Sequence, residues 1–235
     1  MMVKRFTLLF SLLFVFSCSA EAQLLKKAKG LLGGKGFSKE EAANALKEAF
    51  IQGTGKGVDV LSQANGYLGN PEVKIPIPED AKNVEKKLRA LGLGNEVDKA
   101  IESLNRAAED AAVEAKDIFI DAIKAITITD AINIVKGNKD AGTRILESKT
   151  TNDLTAKFSP IIEASLSKVN ATKYWSDVMD KYNKIPFVKK VETDLTAYVT
   201  QQAIDGLFVM IAKEELNIRQ NPAARTTDLL QKVFK

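Results

Sequence analysis

The stretch Asn95–Ile126, NEVDKAIESLNRAAEDAAVEAKDIFIDAIKAI, decides the fold. Its apolar residues, among them Val97, Ile101, Leu104, Ala108, Ala111, Ala115, Ile118, Ala122 and Ile126, recur at intervals of three and four, the period of one helix face. No Pro or Gly interrupts it. As one helix it would run about 48 Å at about 1.5 Å per residue, longer than a small domain is wide. The stretch is therefore either a central rod or a helix bent near Val113–Glu114. Its Ala-rich middle lets neighbouring helices approach closely. Glu102, Arg106 and Asp110 stand at i, i+4 and i+8 and form an exposed row of charges that can pair along the helix. Asn105 and Glu109 form a second row closer to the apolar face. Glu109 and Asp110 are adjacent and diverge by about 100°, so they do not face each other as an acid–base pair.

Upstream, Ser38-Lys39-Glu40-Glu41 is a capping box that opens a helix through Leu61. Gly53, Gly55 and Gly57 lie inside it, where each costs about 1 kcal/mol relative to Ala. They imply either close packing of another backbone or a break in the helix. Ala64–Asp80 is the longest irregular segment. Val73, Ile75 and Ile77 alternate with Lys74, Pro76 and Pro78, which predicts an extended strap over Glu72–Ile77 lying apolar side down, kept out of a sheet interior by its prolines. Pro78-Glu79-Asp80 opens a helix that stops at Leu91-Gly92-Leu93-Gly94.

Downstream, Thr129-Asp130 is read as the cap of a short helix ending at Gly137. A helix over about Lys139–Lys149 follows, then another from Thr151-Asn152 with Pro160 as a kink or a new start. Ala171–Lys184 places Tyr174, Trp175 and Tyr182 at helical spacing, an aromatic face that is either core or the lining of a ligand site. Thr193-Asp194 caps a long, mostly buried helix that Asn221-Pro222 stops, and Leu229–Phe234 adds a final turn. The fold class predicted is all-α: one multi-helix domain around a long central helix, with a short Pro-containing strap.

The chain has 235 residues, 45% apolar and 27% charged, with a formal net charge of +4. Residues 1–22 read as a signal peptide: Lys4 and Arg5 precede the apolar run Phe6–Phe16, which is too short for a membrane span. Cleavage after Ala20-Glu21-Ala22 competes with lipidation at Cys18, because Val15-Phe16-Ser17-Cys18 is similar to a lipobox. Residues 23–37 are a basic amphipathic segment (Leu24, Leu25, Leu31 and Leu32 against Lys26, Lys27 and Lys29) with two readings, a flexible terminus or peripheral contact with an anionic membrane surface. Residues 38–235 are the helical domain. The chain has no His, and Cys18 is its one Cys. After ordinary cleavage these absences exclude a Ser-His-Asp triad, a Cys nucleophile, His or Cys zinc ligation and disulfides. No cofactor and no metal site is expected. Nucleic acid is not an expected partner, since the charges are interspersed and the one dense basic cluster is Lys26, Lys27, Lys29 and Lys35.

Several strings carry a resemblance: Leu61-Ser62-Gln63-Ala64-Asn65-Gly66-Tyr67-Leu68 with Val73-Lys74-Ile75-Pro76-Ile77-Pro78, Leu104-Asn105-Arg106-Ala107-Ala108-Glu109-Asp110, Ala171-Thr172-Lys173-Tyr174-Trp175, Tyr182-Asn183-Lys184-Ile185-Pro186-Phe187, and Asn221-Pro222-Ala223-Ala224-Arg225-Thr226-Thr227-Asp228. Together they resemble a bacterial family known as domain of unknown function 4197, over about Ser38–Lys235. The resemblance implies an exported protein, sometimes a lipoprotein, with no established activity, and so it transfers no catalytic residue.

The functional expectation is a cell-envelope protein, periplasmic or lipid-anchored, that binds an envelope partner or a small ligand without catalysis. Two alternatives stand beside it: an enzyme using carboxylate, Arg, Lys or Tyr chemistry, and a carrier of an apolar molecule in the helical core. The candidate polar cluster is Asn105, Arg106, Glu109, Asp110 and Arg225. Arg225 is expected to pair with Glu109 or Asp110 and so fasten the C-terminal segment to the central helix.

Overall fold

The computed structural model describes residues 38–168, 170–184, 190, 194–225, 230 and 231. The expected leader with Cys18, the 23–37 segment, most of the expected final turn, and the side chains of Tyr174 and Tyr182 lie outside the described residues. Ser38 caps α1 (Lys39–Leu61) through the capping box with Glu41. After the irregular segment, a short 3-10 turn (Glu79–Ala81) leads into α2 (Lys82–Ala90), and Gly92, at φ +83°, turns the chain into α3 (Gly94–Ala112). The chain then bends at Val113–Glu114 into α4 (Ala115–Lys124), so the central stretch is a bent pair and not a rod. α5 (Ile128–Lys136), α6 (Ala141–Lys168), α7 (Ala171–Asn183) and α8 (Leu195–Gln220) complete the eight α-helices among the described residues. The fold is all-α, 79% helical, with no strand among the described residues.

α3, α6 and α8 form the centre, with α1 and α4 packed across them. The alanines of α3 permit this: Ala107, Ala108, Ala111 and Ala112 are fully buried. Around them the aromatic rings fill volume. Phe119 of α4 meets Phe208 of α8 edge to face at 5.8 Å. Two glycines mark places where a side chain has no room. A Cβ on Gly142 would stand 1.9 Å from the Phe50 ring, and one on Gly206 would stand 2.7 Å from the Tyr67 ring. α1 runs unbroken through its three glycines. Gly53 and Gly57 face α8 closely, whereas Gly55 has open space where its side chain would be.

Two boundaries differ from the sequence reading. The cap of α5 is Thr127, not Thr129: its hydroxyl accepts from the Asp130 amide, and the Asp130 carboxylate accepts from the Thr127 amide. These bonds hold the Asp130 carboxyl below its ordinary pKa. α6 is one helix of 28 residues where two were expected, and Pro160 lies inside it. Its threonines do not cap a new start. Thr150, Thr151 and Thr155 donate back to the carbonyls of Leu146, Glu147 and Thr151 in the same helix. Pro160 falls on an exposed position, where the Ala156 carbonyl it leaves unpaired can meet water. The buried residues Leu146, Thr150, Leu154, Phe158, Ile162 and Leu166 recur every four positions. Each such step turns the stripe by about 40° beyond a full turn, so the stripe winds around the helix as α6 passes from one neighbour to the next. A winding stripe has no single apolar face for a helix-period reading to find.

Candidate functional site

The strap is the first thing that the polar cluster builds. Val73, Ile75 and Ile77 are buried. Turns occupy 71–73, so the extended part is shorter than Glu72–Ile77. With no partner strand among the described residues, the amides of Val73 and Lys74 turn back to the Asn70 carbonyl, and the backbone groups of Ile75 and Pro76 are bonded by side chains. Asn105 Oδ1 accepts from the Ile75 amide at 2.8 Å, and Asn105 Nδ2 donates to the Ile75 carbonyl at 2.9 Å. One amide side chain thus does the work of one residue of a neighbouring strand. Glu109 Oε1 accepts from the amides of Tyr67 and Leu68 at 3.1 and 3.2 Å, and its Oε2 accepts from Arg106 Nη1 at 2.6 Å. Arg106 also donates to Asn65 and Glu102. Hydrogen bonding to Glu109 holds its pKa further above the ordinary arginine value.

Two phenols fasten the same segment to α8. Tyr67 donates to the Ala203 carbonyl at 2.6 Å, and the Tyr198 hydroxyl donates to the Pro76 carbonyl at 3.1 Å. Burial, then Glu109, pushes the Tyr67 phenol far up; burial, then Glu79, pushes that of Tyr198 up to about 12. Both are therefore protonated donors at any physiological pH and neither is a base.

Arg225 stands elsewhere, which corrects the expected pairing with Glu109 or Asp110. Its guanidinium donates to the carbonyls of Ile218 and Arg219 at 3.0 and 2.8 Å, closing the C-terminal end of α8. Those carbonyls have no helical partner, and an arginine just past the turn satisfies them. Glu109 lies within a tyrosine's reach of Ala203. Ile218 is fifteen residues further along α8, about 22 Å at about 1.5 Å per residue. Asp110 instead accepts from Ser165 at 2.6 Å, joining α3 to α6.

A second buried carboxylate escaped the sequence reading. Glu215 accepts from the amides of Gly142 and Thr143 and from the Thr143 hydroxyl, at 2.7 to 3.0 Å, and pairs with Arg219 at 2.7 Å. It caps the N-terminus of α6 from across the molecule, an electrostatically favourable place for an anion. The signal was present. Glu215 continues the buried spacing Leu207, Ile211 of α8, and an Arg follows four residues on.

None of these groups is left over for a substrate: among the described residues no buried side-chain nitrogen or oxygen lacks a partner. No group of three His, Cys, Asp or Glu converges as metal ligands among them either.

What the structure does leave open is apolar. A cleft of about 800 Å³ lies between α2, α3 and the junction of α6, α7 and α8. On one side stand Ile77, Val84 and Leu88, on the other Trp175 and Leu195, with Val97 and Leu104 between. The cause is small side chains: α3 presents Ala100, Ser103 and Ala107 there, which cannot fill the gap between α2 and α7. The charged residues of the lining are mostly engaged: Glu85 by Arg89, Arg106 by Glu102 and Glu109, and Asp110 by Ser165. Of the sequence candidates, then, Arg106, Asp110 and Trp175 line the cleft. Asn105 and Glu109 lie beneath the strap, and Arg225 at the end of α8.

No curated protein and no solved structure matches this chain. The model of one family, Protein of unknown function (DUF4197), matches residues 36–235. That span takes in the strap, the polar cluster that holds it and every wall of the cleft, and the chain belongs to this DUF4197 family.

Proposed function

We propose that this is an exported, non-enzymatic binding protein of the cell envelope, and that its cleft holds the apolar part of a small amphipathic ligand. One observation carries the reading: a cleft of about 800 Å³ whose walls are aliphatic and aromatic side chains, with Glu85, Glu102, Arg106 and Asp110 at its edge already paired. Ligand sites have this character, concave and mostly apolar, at volumes of roughly 300–1,000 Å³. Export rests on the leader at residues 1–22. Catalysis is the weaker reading because Glu109, Arg106 and Asp110 are committed to holding α3, the strap and α6 together.

The chain has one Trp, Trp175, and it lies on the cleft wall. Its fluorescence therefore reports occupancy without a label. A long-chain fatty acid brominated along its chain is expected to quench Trp175 saturably, and Ala100→Phe, which adds volume inside the cleft, is expected to weaken that binding by at least about tenfold, as steric exclusion of a buried apolar group should. Quenching that is linear in quencher and unchanged by Ala100→Phe would mean that the chain collides with the surface and does not enter.

A further inference from the structure

α2 is shallowly seated: none of its residues is buried, and it packs on α3 and the turn that precedes it. The apolar stripe Ala81, Val84, Leu88 lines the cleft, and its spacing continues to Leu91, which lies past the cleft's lining and is 75% exposed. Leu93, at the cleft's edge, is 41% exposed. Of the large apolar residues exposed among the described ones, only these two share a turn; Val60, Val113, Ile128 and Val209 are scattered over other elements. Lys86 and Lys87 stand in the last turns of α2 before this tip, exposed and without an ion pair among the described residues; Arg89 is held by Glu85 and Asp98, and Glu96 of the cleft lining is the one exposed carboxylate nearby in sequence without an ion pair among them.

An exposed leucine flanked by free ammonium groups, at the mouth of an apolar cleft, matches a surface that is anionic outside and hydrocarbon within. We infer that the α2–α3 turn docks on an anionic lipid membrane and that the cleft receives an acyl chain there, an inference that rests on the cleft being a ligand site. The contact is peripheral, since no described helix is long and apolar enough to cross a membrane.

The test is co-sedimentation of the full chain with phosphatidylglycerol vesicles and with phosphatidylcholine vesicles. Binding is expected to the first, to fall as salt is raised, and to be weak to the second. Lys86→Glu with Lys87→Glu is expected to reduce it by more than the roughly fivefold per lysine that removal of one surface cation implies, and Leu91→Ser to reduce it several-fold. The 23–37 segment is the same in all variants, so the differences belong to the turn. Binding unchanged by both sets of substitutions overturns the inference. So does a dimer that Leu91→Ser dissociates while vesicle binding stays, which would assign the turn to a second copy of the chain. Quenching of Trp175 by the brominated fatty acid in the absence of vesicles is expected to survive in both variants. If that quenching fails in the wild type while vesicle binding still follows Leu91 and the lysines, the ligand site is wrong and the docking surface stands without it.

Discussion

Glu109→Ala is expected to destabilise the protein by about 3–5 kcal/mol, the range for breaking a buried, hydrogen-bonded charge pair from one side. Glu109 is 4% exposed and its two oxygens serve three donors. Arg106 is 37% exposed in its side chain and can rehydrate. The Tyr67 amide is buried and has no such escape, that of Leu68 is partly buried, and a buried donor left unmade costs about 1–3 kcal/mol. Glu109→Gln retains a carbonyl oxygen for those amides and loses only the charge opposite Arg106, so it should cost less than half as much. Urea unfolding of the two variants decides the matter. Equal losses would assign the role of Glu109 to its charge and not to the strap. Amide hydrogen exchange at Tyr67 and Leu68 should accelerate in Glu109→Ala before the global unfolding transition is reached.

The other large effect is at Glu215. Glu215→Ala removes the acceptor for two amides and a hydroxyl at the start of α6 and takes from Arg219, 13% exposed in its side chain, the carboxylate that it meets at 2.7 Å. The expected cost is again about 3–5 kcal/mol. Against a total stability of about 5–15 kcal/mol, this is enough to unfold a marginal domain near physiological temperature. Arg219→Ala should cost less, because Glu215 keeps its bonds to Gly142 and Thr143. Thermal melts of both variants give the order. A larger loss in Arg219→Ala would mean that the bond from Arg219 to the Ile134 carbonyl, at 2.7 Å, is the dominant one.

What the sequence made legible is what repeats locally. The three-and-four spacing of Asn95–Ile126 announced α3 and α4, and Val113–Glu114 is where they part. Ser38 and Asp194 cap where cap chemistry placed them. The alternation of Val73, Ile75 and Ile77 carried over into burial. Three features differ from the sequence reading. Arg225 was assigned a distant carboxylate when carbonyls six and seven residues away sufficed. α6 was divided because its buried stripe winds and its threonines look like caps. The cleft was invisible because it comes from small residues on α3 facing a gap between elements far apart in sequence, and spacing within one helix carries no information about what stands opposite.

If the space beside Ala100 and Leu104 is a ligand site, a bound ligand sits there. Methyl-selective nuclear magnetic resonance of the full chain, titrated with a soluble medium-chain fatty acid, reads this residue by residue. Saturable shifts are expected at the methyls of Leu88, Leu93, Leu104 and Leu195, all of which line the cleft. The exposed methyls of Val113 and Val209, which do not line it, should stay in place. Shifts spread over Val113 and Val209 as strongly as over the cleft leucines, or no saturable shift at any of them, would contradict a ligand site there.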